Sequence, residues 1–461
     1  MPPIHEHNNV AINMFDNVNP DEAWQPFEPG KDKPWDLRLA SHLYRRAWFG
    51  GNPTQIQAAV KLGFTESVAS ILKPRRNENF EAEMNTAARM VTGGSDSRQL
   101  AAWWILRMLK TSNPLVEKMT FFWHGHFATG AEKVLNSRAM LRQNQLLRKH
   151  ALGEYPPLVQ SISQDVAMLV YLDSEENRKT RPNENYAREL MELFCLGVGN
   201  YSEQDIKEVA KCFTGCEVKK GKYQFNEYQH DHGVKSFLNR SGKFRGDDAI
   251  NIIMEQPAAG RFLAKKLIRF FAFDDLAISD RLAEPLAEHL RATDFNITKA
   301  LNLIFSSKLF YSDAAIGKKI KSPLELGVGF LHFLGATTNI TEVSRKLAAI
   351  GQLPLFPPNV KGWEGGKNWI NASTILARAN LTSGILANEK TKYDRGELSG
   401  LFGTDSPLGT IDSAAWVNDY FFASPLTRES ETQYLNWIKR TNAQPKEILA
   451  YLTALPEFQL N

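Results

Sequence analysis

The stretch NENYARELMELFCLG carries two carboxylates, a guanidinium and an amide at spacings that could make them act together. If it is helical from Asn183 to Leu196, then Asn185, Arg188, Glu189 and Glu192 fall at i, i+3, i+4 and i+7 and share a face, with Tyr186, Leu190, Leu193 and Phe194 opposite. Turned toward a cleft, Glu189 and Glu192 would bind a divalent cation or serve as acid and base. Arg188 would then hold an anionic group through two parallel hydrogen bonds, and Asn185 would contact substrate beside it. Turned toward solvent, the same face would amount to Arg188 pairing with Glu192 at i, i+4.

Four further clusters could join such a site. His124 and His126 in WHGH suit a metal if the segment is extended; in a helix the two rings point apart and cannot share one ion, and the flanking TFFW reads as helical. His230-Asp231-His232, followed by Lys235, lies in a segment without helical rhythm. There it could place a His oriented by an acid for proton transfer, or form a polar surface turn. Asn144 and Arg148 face together at i, i+4 and would either line a site or stitch helices. In PPNVKGWEGGKNW, Lys361, Trp363, Lys367 and Trp369 combine flat apolar rings with cations, which could stack on a sugar ring or pin a Gly-rich loop. A divalent metal is the one cofactor these groups would call for.

The elements around them read as helices. Apolar residues recur near i, i+3, i+4 from Asp36 onward, with Asn183 and Ser202 as N-caps and Gly197 as a C-terminal stop. Residues 216–245 break the rhythm and read as a β ribbon, with turns expected around Gly221 and Gly242. The predicted organisation is an extended surface arm over 1–35, a main α-helical domain over 36–390 and a C-terminal helical extension over 391–461, with a Gly-rich linker up to Gly409. The fold class is mostly all-α.

Composition excludes several roles. Lys+Arg of 55 against Asp+Glu of 51 gives +4, too mild for a nucleic-acid footprint. Three cysteines exclude a disulfide scaffold. No run reaches the ~18 apolar residues of a membrane span, so a soluble chain is expected. The N-terminal residues lack a basic stretch followed by an apolar one, so no secretory signal is expected in them. The hydrolase signatures G-x-S-x-G and H-E-x-x-H do not occur.

The segments HLYRRAWFG (42–50), FFWHGHF (121–127), NQLLRKHALG (144–153), NENYARELMELFCLGV (183–198), HDHGVKSFL (230–238), RFLAKKLIRFF (261–271) and PPNVKGWEGG with NWI (357–370) together resemble the bacterial DUF1800 family over about 40–385. The resemblance implies a mostly helical protein, often exported and often encoded beside a second, sulfatase-like protein. It supplies no catalytic residues. The chain departs from the family pattern at Gly125, where Asn is expected, and at Cys216, where Trp is expected. Two functions follow as expectations. One is a polar cleft doing metal-assisted or acid–base hydrolysis on a polar, carbohydrate-like substrate. The other is a noncatalytic scaffold that binds a protein partner.

Overall fold

The computed structural model describes residues 19–75, 77–94, 96–274, 278–394, 396, 398, 418–441 and 443–461. The described residues are mostly helical, with three two-stranded antiparallel ladders. Residues 1–18 of the expected arm, and 395, 397 and 399–409 of the expected Gly-rich linker, lie outside the described residues. The described part of the arm is packed rather than superficial. Trp24 and Phe27 are buried, and the Trp24 indole donates to the Leu282 carbonyl at 2.8 Å.

Two apolar clusters organise the helices. One gathers residues such as Leu43, Trp123, Phe194, Leu263, Leu286 and Phe305. The other gathers Trp104, Met140, Leu331, Leu347, Leu381 and, from the C-terminal extension, Leu449, Leu452 and Phe458. The extension therefore completes a core. The helix Pro114–His126 serves both clusters, with Phe122 and Trp123 on one side and Phe121 on the other. A seam between cores is where helical proteins most readily leave a ligand-sized gap.

The β ribbon is two hairpins. Cys216–Lys219 pairs with Lys222–Phe225 through Lys220 and Gly221, both at positive φ, which matches the twist of the strands. Lys235–Phe237 pairs with Arg240–Gly242, and its turn is Leu238-Asn239 rather than the expected Ser241 to Lys243. Asn239 tolerates the left-handed conformation through its short polar side chain, so it took the turn and left Gly242 in the strand.

The Pro/Gly-rich loop is ordered. The Ala131 N–H donates to the Leu355 carbonyl at 2.9 Å, and residues Gly366–Trp369 form a 3-10 turn. Gly362, at φ +76°, lies so close to the helix Pro114–His126 that a Cβ there would overlap the Gly125 carbonyl. Gly362→Ala combines that overlap with a left-handed backbone and is expected to lower stability by about 1–3 kcal/mol in chemical denaturation. In the reverse control, a Cβ at Gly125 meets only a Trp363 ring atom at 4.0 Å, so Gly125→Ala is expected to be neutral or stabilising. Equal losses in the two variants would contradict this crossing.

Candidate functional site

A cleft of about 390 Å³ opens at the seam between the two cores. Its walls are built by ordinary helix-start chemistry. Pro114, Pro257 and Pro323 each begin a wall helix at the first position, and Ser322 with Glu325 forms a capping box before the third. From the helix Pro114–His126 come Lys118, Phe121, Phe122, Gly125 and His126, a stripe at helical spacing. From the helix Pro257–Phe271 come Lys266, Arg269 and Phe270. The loop over 360–369 closes the top with Lys361, Trp363 and Trp369. Trp363 stacks on Phe121 at 5.5 Å and meets His124 edge-on, which holds the loop down.

The helix predicted over 183–196 changes pitch. It is α over Glu184–Glu189 and π over Leu190–Cys195, where the Leu196 N–H reaches back five residues to Met191 at 2.8 Å. The wider turn breaks the 3.6-residue spacing, so Leu193, expected opposite Glu192, lines the cleft beside it. It also presents the Phe194 carbonyl inward, where it accepts from His126 Nε2 at 3.0 Å and from the Tyr155 hydroxyl.

His126 Nε2 lies 3.0 Å from the Phe194 carbonyl and 2.8 Å from the Tyr155 hydroxyl. A proton on Nε2 goes to the carbonyl and leaves the lone pair on Nδ1, whereas a Tyr155 O–H given to Nε2 puts the ring proton on Nδ1. Nδ1 is buried and meets no partner. Burial, helped by Lys266, keeps the ring pKa well below the usual histidine value, so it stays neutral at physiological pH.

Charge in the cleft is uneven. Glu325 receives Lys118 Nζ at 2.6 Å and Lys319 Nζ at 3.6 Å. Burial would raise this carboxyl, but the two lysines outweigh it and hold the pKa far below the usual range. Burial lowers Lys118 to about 8 despite Glu325. Asp274, raised by burial, accepts from the Ile320 N–H at 2.6 Å. Lys266 makes a cation–π contact with Phe262 at 5.2 Å and meets no carboxylate among the described residues. Burial, together with the Arg269 charge, brings its pKa to about 8.

The residues singled out by motif are scattered around this centre. Glu192 lines the cleft and accepts from the Tyr201 hydroxyl at 3.1 Å. Glu189 sits one turn earlier, its pKa raised by burial and by Glu192, and Lys361 is near enough to oppose that rise. Lys361, Trp363, Trp369 and His126 are also in the lining. Arg188 instead grips Glu203 at 2.7 and 2.8 Å on the surface, and Asn185 donates to the Leu172 carbonyl at 3.0 Å. Arg148 binds buried Glu117 through two bonds of 2.6 and 3.0 Å, stitching helices, while the Asn144 amide is buried without partners.

His230 bonds the Thr214 carbonyl through Nδ1 at 2.8 Å, Asp231 caps the Gly233 N–H at 2.7 Å, and Lys235 donates to the Asp231 carbonyl. These three hold the β insert together and do not line the cleft. His124 accepts the Leu355 N–H at 3.0 Å, on the loop side of its helix and away from the bonds of His126. Among the described residues, no three His, Cys, Asp or Glu side chains come together to hold a metal ion.

Lys118, Lys266, Arg269, Phe270 and Asp274 fall in none of the candidate site clusters, yet they form much of the wall. The sequence signal that could have found them is a cation inside an apolar stripe, such as Lys118 between Leu115 and Phe122, or Lys266 beside Leu263 and Leu267. No described helix is long and apolar enough to cross a membrane. No curated protein and no solved structure matches the chain. The model of the family described as protein of unknown function, DUF1800, matches residues 42–460, through the C-terminal helices, and the chain belongs to that family.

Proposed function

We propose that the cleft binds a small, polar, carbohydrate-like substrate bearing an anionic group and carries out acid–base hydrolysis on it. The observation that supports this most is that His126 and Lys266 line the same cleft from two helices, a neutral imidazole whose buried Nδ1 meets no partner and a half-buried lysine with no carboxylate partner among the described residues. An ammonium largely withdrawn from water and left without an anion is unfavourable, and a ligand carboxylate or phosphate would relieve that cost.

In this reading Lys266, with Arg269 and Lys361 nearby, seats the anionic group, and the Trp363 and Phe270 rings take the apolar face of the sugar. With the ring proton on Nε2 and given to the Phe194 carbonyl, His126 Nδ1 removes a proton from the attacking water, the water oxygen bonds to the substrate as the bond to the leaving oxygen breaks, and the imidazolium returns its proton to that leaving oxygen. Glu192 lines the same cleft, held by Tyr201.

The test is a panel of sugar phosphates and uronates screened by thermal shift and calorimetry. Lys266→Met is expected to weaken the best ligand at least tenfold. His126→Asn should retain binding and lose about 10²–10⁴-fold in turnover. Because Lys266 is charged only below its pKa of about 8, affinity for the anion is expected to fall as pH rises through that value. Unchanged ligand affinity in both variants, with a protein partner co-purifying, would favour the scaffold reading instead.

A further inference from the structure

We propose that a second, small cavity behind the cleft is a binding site for a small inorganic anion of about the size of chloride. The cavity lies between the helix Leu37–Ala47 and the start of the helix Pro323–Leu334, and its volume is about 40 Å³. That admits one ion or a few waters and no organic ligand. Its lining includes Ser41, Arg45, Lys321, Glu325 and Asn461, closed by Phe458.

The polar atoms here are mostly donors without acceptors. Ser41 Oγ and Arg45 Nη1 are buried and meet no partner. The same holds for Nε and Nη1 of Arg46 and for Nη1 of Arg378, both near enough to this group to interact electrostatically with its charges. The bonds these cations do make go to main-chain and amide oxygens: Arg45 to Tyr420 at 3.1 Å, Arg46 to Ala315 at 2.7 Å and to Asn461 at 3.1 Å, Lys321 to Phe458 at 2.6 Å, and Arg378 to Lys321 at 2.8 Å and to the Gln459 side chain at 2.7 Å.

Counting side chains, Arg45, Arg46, Lys321 and Arg378 face one carboxylate of the lining, Glu325. That carboxylate is already engaged by Lys118 at 2.6 Å and by the Ser322 N–H at 2.9 Å. Burial drives Arg45, Arg46 and Arg378 each down to about 10, against the charges of Asp274 and Glu325 at Arg46 and of Glu325 at Arg378. Buried charges of one sign cost several kcal/mol per ion unless an opposite charge joins them. The unpartnered Arg45 Nη1 and Ser41 Oγ, in the wall of a space the size of a single ion, supply the geometry for that charge. Glu325 lines both cavities, so the anion would sit directly behind the carboxylate that orders Lys118 and Lys319 in the cleft.

The test uses the full chain at constant ionic strength, with gluconate replaced stepwise by chloride. The melting temperature is expected to rise saturably, by about 1–2 °C once chloride exceeds its dissociation constant tenfold. Bromide should substitute and sulfate should not. Arg45→Gln is expected to abolish the dependence. Crystals grown in bromide should show an anomalous diffraction peak within the cavity, which decides the matter in the wild-type protein should Arg45→Gln fail to fold. A melting temperature indifferent to chloride, or no bromide peak, would mean that the cavity holds water only. An undiminished chloride effect in Arg45→Gln would place the ion elsewhere. Each of these results overturns the proposal.

Discussion

Glu117→Gln is expected to lower the free energy of unfolding by about 3–5 kcal/mol, measured by chemical denaturation. Glu117 is buried and accepts from Arg107 Nε at 2.7 Å, from Arg148 at 2.6 and 3.0 Å and from the Trp104 indole at 2.9 Å. Neutralising it leaves two guanidinium groups facing each other with a weak acceptor between them. Arg107 keeps only the partly exposed Glu81, at 2.5 Å.

The pH dependence follows from the same geometry. Burial alone would raise the Glu117 carboxyl, but Arg148 and Arg107 outweigh it and hold it at about 2, below its unfolded value near 4.5. A group depressed on folding contributes stability above its unfolded pKa and loses that contribution as pH falls toward its folded pKa. The wild-type protein should therefore lose stability between about pH 5 and pH 2, and this component should be missing in Glu117→Gln. Identical acid profiles for the two proteins would show that the triad is not coupled as described.

Glu325→Gln is expected to cost about as much, some 3–5 kcal/mol, for a different reason. Its carboxylate is the shared counter-charge of Lys118 and Lys319, and it also completes the capping box through the Ser322 N–H. Without it Lys118 keeps only the Phe49 and Phe270 rings among the described contacts, and Lys319 the Phe270 carbonyl and ring and the more distant Asp274 charge. Adding Lys118→Met to Glu325→Gln should recover part of the loss, because it removes a stranded charge rather than a useful contact. If the two substitutions add instead, Lys118 and Glu325 do not depend on each other. The double-mutant cycle in denaturant separates these outcomes.

Helical class was legible from periodicity and caps. Ser202 forms the expected capping box, Gly197 takes the expected left-handed backbone, and the first hairpin turn falls at Lys220-Gly221. What periodicity could not show was where its own rule stops. The π turn at Leu190–Cys195 carries no local mark, and it alone moves Leu193 beside Glu192 and turns the Phe194 carbonyl to His126. Long-range pairing was equally hidden. Arg148 and Glu117 lie 31 residues apart, and Lys118 and Glu325 lie 207 apart. Spacing within one helix therefore could not tell a structural arginine from one that lines a site. Five of the motif residues, His126, Glu192, Lys361, Trp363 and Trp369, reached the cleft because it is walled by the segments richest in polar groups on apolar helices. His230, Asp231 and Lys235 did not, because a short ribbon must satisfy its own polar atoms.

The central claim is that Lys266 stands in the cleft as an unpaired amine awaiting an anion beside His126. Its most direct test is an NMR titration of the lysine amines after reductive methylation with labelled formaldehyde, with Lys266 assigned by comparison with Lys266→Arg. The expected result is a single Lys266 resonance titrating near pH 8, moved upward when inorganic phosphate is added, as an arriving anion favours the charged form. Titration at the ordinary lysine value of 10.5, unaffected by phosphate, would mean that the amine is already compensated or solvated, and it would contradict the account of the cleft.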